Sequence, residues 1–227
     1  MERAKLLMAI VEMTGCDEAR FCYIMKSRYS SFLLGAAMKQ AKVLSETELK
    51  RVLAVVATMR HAGRNRMALM LSYFGGMRVG EIAALKVGDV MESDGTVKDR
   101  IVLRGATTKT GEARAIYVNE KLGKELQRHL DTLTGRAKRL DVALLATQQD
   151  GHFLANTLTQ LMGQIYKLAG VSGASSHSGR RWFITKLAHS GVSAKVIMTL
   201  AGHKNLGTTQ RYIDVNDDMM RAAVAIL

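Results

Sequence analysis

The sequence predicts a mainly α-helical chain with one small antiparallel sheet of three short strands, an α+β class. Three observations carry that prediction. The 227 residues include no proline, whereas an average chain has about 5%, so helical runs are not interrupted. Apolar residues recur at helical spacing over most of the length. Only the stretch Lys86 to Asn119 changes period, with strand formers broken by turn residues.

Met1 to Lys42 reads as helical, with Leu6, Leu7, Ile10 and Val11, then Phe21, Ile24 and Met25, at helix spacing. Ser45-Glu46-Thr47-Glu48 is a capping box that starts a helix running through Leu53, Val56 and Met59. Met67 to Phe74 is almost wholly apolar, as a buried helix is, and ends at Gly75-Gly76. Between Lys86 and Asn119, Val90, Val97, Ile101, Leu103, Ala115, Ile116 and Val118 are strand-like. Ser93-Asp94-Gly95 and Thr107 to Gly111 break them into three short strands. Ile101 and Leu103, two apart, share one buried face. Glu120 to Leu133 and Leu154 to Leu168 are helical, with a loop and a short element between. A Gly/Ser loop feeds a helix beginning near His177. Ser193 caps the next helix, which closes at Gly202. The tail from Val215 to Leu227 is apolar enough to need a partner, in its own core or on a neighbouring subunit.

Lys and Arg number 33 against 20 Asp and Glu, a formal net charge of +13. That excess attracts polyanions, of which nucleic acid is the commonest. Lys26, Arg28, Lys39 and Lys42 make the first segment basic, so it reads as a helical appendage, a packing helix pair or a DNA-touching arm. Aromatic residues make up only 5%, too few for stacking platforms on single strands. Cys16 and Cys22 are too few for a disulfide framework and not spaced for zinc, which fits a reducing, cytoplasmic setting. No apolar run reaches the roughly 18 residues of a membrane span. Lys5 precedes a short apolar run, but Glu12 follows and no small-residue cleavage site appears, so no signal peptide is read.

Chemistry concentrates between Ser176 and Asp214. His177 and Arg180, three apart, share a helix face at a helix start, where a dipole favours an anion. Arg suits a phosphate because its planar fork donates two parallel hydrogen bonds. His203 follows the glycine that ends the next helix, and Tyr212 lies nine residues on. Positive charge favours the ionised form of a phenol, and a phenolate is a covalent nucleophile. Upstream, Arg78 directly follows the buried helix, a costly place for an unpaired charge. Glu81, three residues later, can orient it. Lys109 sits at the tip of the second hairpin. Singly, each reads more simply as a solvated or packing residue; only the ordered set is specific.

That ordered set, Arg78 in GGMRVGEIAALKVGDV, Lys109 in a hairpin turn, HSGR, LAGH and Tyr212, resembles the tyrosine recombinases, the phage-integrase family of DNA strand-exchange enzymes. The resemblance covers roughly Leu44 to Val215. It implies the tyrosine-recombinase catalytic fold over residues 44–214, preceded by a short helical segment, 1–43, and followed by a tail, 215–227, that docks in cis or on a neighbour. It implies that Tyr212 attacks a phosphodiester of double-stranded DNA to give a 3′-phosphotyrosyl link and a free 5′-hydroxyl. Arg78 and Arg180 would clamp the phosphate and Lys109 would protonate the leaving 5′-oxygen. His177 would be the general acid/base, His203 a phosphate donor and Glu81 a support for Arg78. No cofactor, metal or ATP is implied. The expected partners are DNA, a homo-tetramer on it, and in some systems a DNA-bending protein, with no membrane.

Two departures stand out. A second His usually follows the Arg of the HxxR box, where this chain has Arg181, and Gly179 replaces a commonly apolar residue. Family members usually carry a full helical domain before the catalytic part; here only Met1 to Val43 precedes it, either a natural minimum or a shortened chain. The reading is integration or excision of a mobile element. The alternatives are a resolvase, a type IB topoisomerase-like enzyme, or a non-catalytic DNA-binding derivative.

Overall fold

A computed structural model describes residues 40–105, 113–149, 151–213 and 217–225. The expectations for the N-terminal segment and for Lys109 fall outside them. Among these residues the helices are α1 (Glu46–Ala57), α2 (Ala62–Phe74), α3 (Val79–Ala84), α4 (Val87–Val90), α5 (Glu120–Thr132), α6 (Ala155–Leu168), α7 (Ser178–His189), α8 (Ala194–Ala201), α9 (Leu206–Gln210) and α10 (Asp217–Val224). The strands are β1 (Arg100–Leu103) and β2 (Arg114–Tyr117). No described helix is long and apolar enough to cross a membrane.

Helix α1 starts where the capping box predicts: Ser45 Oγ accepts from the Glu48 amide, and the Glu48 carboxylate accepts from the Ser45 amide. Helix α2 is the centre of the core. Met67, Leu69, Met70, Leu71 and Tyr73 are each at most 2% exposed, and α1, α3, α5 and α7 pack around them. Each such side chain contributes roughly 1.5–3 kcal/mol relative to exposure. The tightest contact is with α7. A Cβ on Gly179 would stand 2.8 Å from both Ser72 Cβ and Tyr73 Cδ2. The absence of an apolar side chain there is what lets α7 lie against α2.

Among the described residues the sheet has two strands, not three. Ile101 pairs with Ile116 and Leu103 with Arg114 in an antiparallel register; Ile101 and Leu103 face the core as expected, and Ile116 does too. The segment expected to supply a third strand makes only a single bridge, Met91 to Val97. Val90 is spent in ending α4, and Asp94 closes a tight turn by accepting from both the amide and the hydroxyl of Thr96. Too few residues remain on either side to extend a ladder.

A second, smaller core joins α7 to α8. Ile184, Ala188, Ile197 and Ala201 are buried in it, and Tyr212 packs on its edge. It fixes where α8 ends relative to α2.

Candidate active site

The last carbonyls of a helix have no partner within it. At the end of α8 three arginines from three segments supply them. Arg114 of β2 donates from Nη1 to Leu200 O at 2.7 Å. Arg180 of α7 donates from Nη2 to Ala201 O at 2.5 Å. Arg78, at the N-cap of α3, donates from Nη2 to Gly202 O at 2.8 Å. The negative end of the helix dipole favours such cations. Gly202 makes the convergence possible. Its φ of 63° turns the chain out of the helix, and a Cβ there would meet Arg114 Cδ at 2.5 Å.

One carboxylate ties the cluster from the other side. Glu81 is 1% exposed. Its oxygens accept from Arg114 Nε at 3.2 Å and Nη2 at 2.6 Å, from Arg78 Nη1 at 2.9 Å, and from the Arg78 amide at 2.7 Å. Burial alone would raise its pKa, but the bonds and charges of Arg114 and then Arg78 outweigh it and hold the carboxyl below the usual range.

The charges do not balance. Among the described residues three guanidinium groups face this single carboxylate. Arg180 is 5% exposed, and its Nη1 donates to Gly76 O at 2.6 Å. Burial, then the charges of Arg78 and Arg114, push its pKa down to about 9, against the pull of Glu81 and Tyr212. It is still a cation at neutral pH. A buried positive excess of this kind is relieved by an anion.

His203 and Tyr212 stand beside that excess. His203 Nδ1 hydrogen-bonds to the buried Thr209 Oγ1 at 2.9 Å, which fixes the ring. Burial, and then Arg180, Arg78 and Arg114, push the His203 pKa down to about 4, so the ring is neutral at pH 7. The Tyr212 ring stacks on it, with centroids 5.7 Å apart and planes at 23°. Arg181 lies over the same Tyr212 ring, its guanidinium carbon 5.4 Å from the centroid.

The structure therefore brings together Arg78, Glu81, Arg180, His203 and Tyr212. His177 takes the exposed N-cap of α7, one turn before Arg180. Lys109 lies outside the described residues. Sequence reasoning missed Arg114. The signal was present: Arg114 is two residues before the buried Ile116, so strand alternation turns it inward. Among the described residues no group of three His, Cys, Asp or Glu could hold a metal.

The family model described as the phage integrase family matches residues 42–219. This chain belongs to the phage integrase family. It is 31% identical over 183 residues to the tyrosine recombinase XerA of Pyrococcus horikoshii, across 81% of this chain and 60% of that protein. It is 32% identical over 182 residues to XerA of Thermococcus kodakarensis, across 80% and 61%. The chain thus spans about three fifths of the length of these curated relatives. Its fold matches that of an XerA recombinase crystal structure, with a TM-score of 0.63 and 23% identity over 81% of this chain and 62% of that one. It also matches a Tn1549 transposon integrase in complex with a circular intermediate DNA, with a TM-score of 0.68 and 20% identity over 86% and 68%.

Proposed function

We propose that this integrase-family chain is a site-specific tyrosine recombinase that cuts and rejoins double-stranded DNA, serving integration or excision of a mobile element. The observation that supports it best is the surplus of guanidinium groups at the end of α8 with a phenol beside it. A phosphodiester is an anion of the right geometry for Arg78 and Arg180, since phosphoryl transfer needs mainly positioning and charge stabilisation.

In this reading the Tyr212 oxygen attacks phosphorus and the bond to the 5′-oxygen breaks. His177 accepts the phenolic proton, and Lys109 gives a proton to the departing 5′-oxygen. The product is a 3′-phosphotyrosyl link and a free 5′-hydroxyl. Attack by a 5′-hydroxyl on that link restores the strand. The covalent link conserves the bond energy, so the cycle requires no ATP, cofactor or metal. His203 donates a hydrogen bond to a phosphate oxygen, and Glu81 holds Arg78 in place. Met220 and Val224 of α10 are 52% and 67% exposed, which suits a tail docking on the next subunit of a homo-tetramer on DNA. A DNA-bending protein assists at sites that must fold back. The working compartment is the cytoplasm.

The test is incubation with nicked duplexes carrying candidate attachment sites, followed by denaturing electrophoresis. A covalent protein–DNA band that disappears in Tyr212→Phe is expected. No band with any candidate would favour a non-catalytic DNA-binding derivative.

A further inference from the structure

Arg181, the residue at which this chain departs from the HxxR-His pattern, directly follows Arg180 on α7 but makes none of the cluster's hydrogen bonds. Its backbone is fixed in the helix, the amide donating to His177 O at 2.9 Å. Its guanidinium lies over the Tyr212 ring at 5.4 Å, and the same ring stacks on His203. Its Nε is buried without a hydrogen-bond partner, and it has no carboxylate partner among the described residues. A buried donor left unmade destabilises the fold. Such groups persist where the surroundings hold them for another purpose.

We propose that Arg181 is a positioning residue that holds the Tyr212 ring, through a cation–π contact, in the place from which the phenol attacks. The proposal rests on the reading of Tyr212 as nucleophile. Arg181 and His203 restrict the ring within one chain before DNA arrives, so less ordering remains to be done in the complex. A planar guanidinium matches a ring face in a way that a lysine ammonium does not. The orphaned Nε is the stability given up for that placement.

The experiment uses the full chain with Arg181→Met and Arg181→Lys. Three quantities are read: the fluorine NMR signal of 3-fluorotyrosine at position 212, assigned by its loss in Tyr212→Phe; the rate of adduct formation at saturating nicked duplex; and the thermal midpoint. Arg181→Met should shift or broaden the Tyr212 signal and slow adduct formation by about 5- to 30-fold, the range of a desolvated cation–π contact. Its midpoint should stay level or rise, because the orphaned donor is gone. Arg181→Lys should fall between it and the wild type in rate. An unchanged Tyr212 signal in Arg181→Met would overturn the proposal. So would a midpoint that falls in step with the rate, the mark of a merely structural arginine. A shifted signal in a protein that forms no adduct at all would uphold the contact and overturn the reading of Tyr212 as nucleophile.

Discussion

Around α2 the interior is closed. Leu69, Leu71 and Tyr73 are fully buried, and the hydroxyl of Tyr73 has a partner in Tyr166 at 3.4 Å, while the neighbouring Ser72 Oγ is buried without one. At the end of α8 the charges are unequal: three arginines share four carbonyls, those of Leu200, Ala201, Gly202 and Gly76, and one carboxylate. The first region is held by apolar burial in the free protein. The second is mechanically complete and electrostatically unfinished. That difference separates a site from a core, and it comes from the orphan carbonyls of one helix end, which gather cations without neutralising them.

Removing the counterion should break the second region most severely. Glu81→Gln leaves the guanidinium groups without a carboxylate, and loss of one partner of a buried ion pair costs about 3–5 kcal/mol. Urea denaturation should show it; a change near zero would mean that the carbonyls alone hold the arginines. On the proposed function Arg180→Ala takes away one of the two phosphate contacts, and its effect on strand cleavage should match a lost oxyanion donor, about 100- to 1,000-fold. Single-turnover cleavage on a nicked duplex measures it, and a near-normal rate would remove Arg180 from the clamp. Gly179→Ala sharpens the comparison by acting on packing alone. The added methyl must push α7 off Ser72 and Tyr73, and overpacking of this sort destabilises by about 1–3 kcal/mol.

The smallest effect expected is on pH. Folding holds the His203 pKa down to about 4, from an ordinary 6.5. Between those values the unfolded chain binds a proton that the folded one refuses, so stability falls as pH drops from 6.5 towards 4. Burial lowers the His129 pKa too and adds to the same trend. The thermal midpoint of the wild type should fall between pH 7 and pH 5, and that of His203→Gln should fall less. Equal falls would remove His203 from the pH response.

Where signals are local, the sequence was readable. The Ser45 capping box, the apolar run of α2, and Ser193 and Gly202 at the two ends of α8 each carry their physics within a few residues. The third strand was misread because Val90 and Val97 have the right propensity, yet strand length depends on what remains to pair once α4 and the Asp94 turn have taken their residues. Arg78, Arg180, His203 and Tyr212 were found as a pattern. What joins them, Arg114 and the carbonyls of Leu200, Ala201 and Gly202, was not, because backbone acceptors have no sequence signature. Arg114 also follows Thr107 to Gly111, a stretch that reads as a turn in the sequence, where an arginine ordinarily reads as solvated.

The most direct measurement is to trap the adduct on a nicked duplex, digest the protein and identify the linked peptide by mass spectrometry. One modified residue is expected, Tyr212, carrying nucleotide through its 3′-phosphate, with a free 5′-hydroxyl on the released strand. A nucleotide attached to any other side chain, or a 5′-phosphate link, would contradict it.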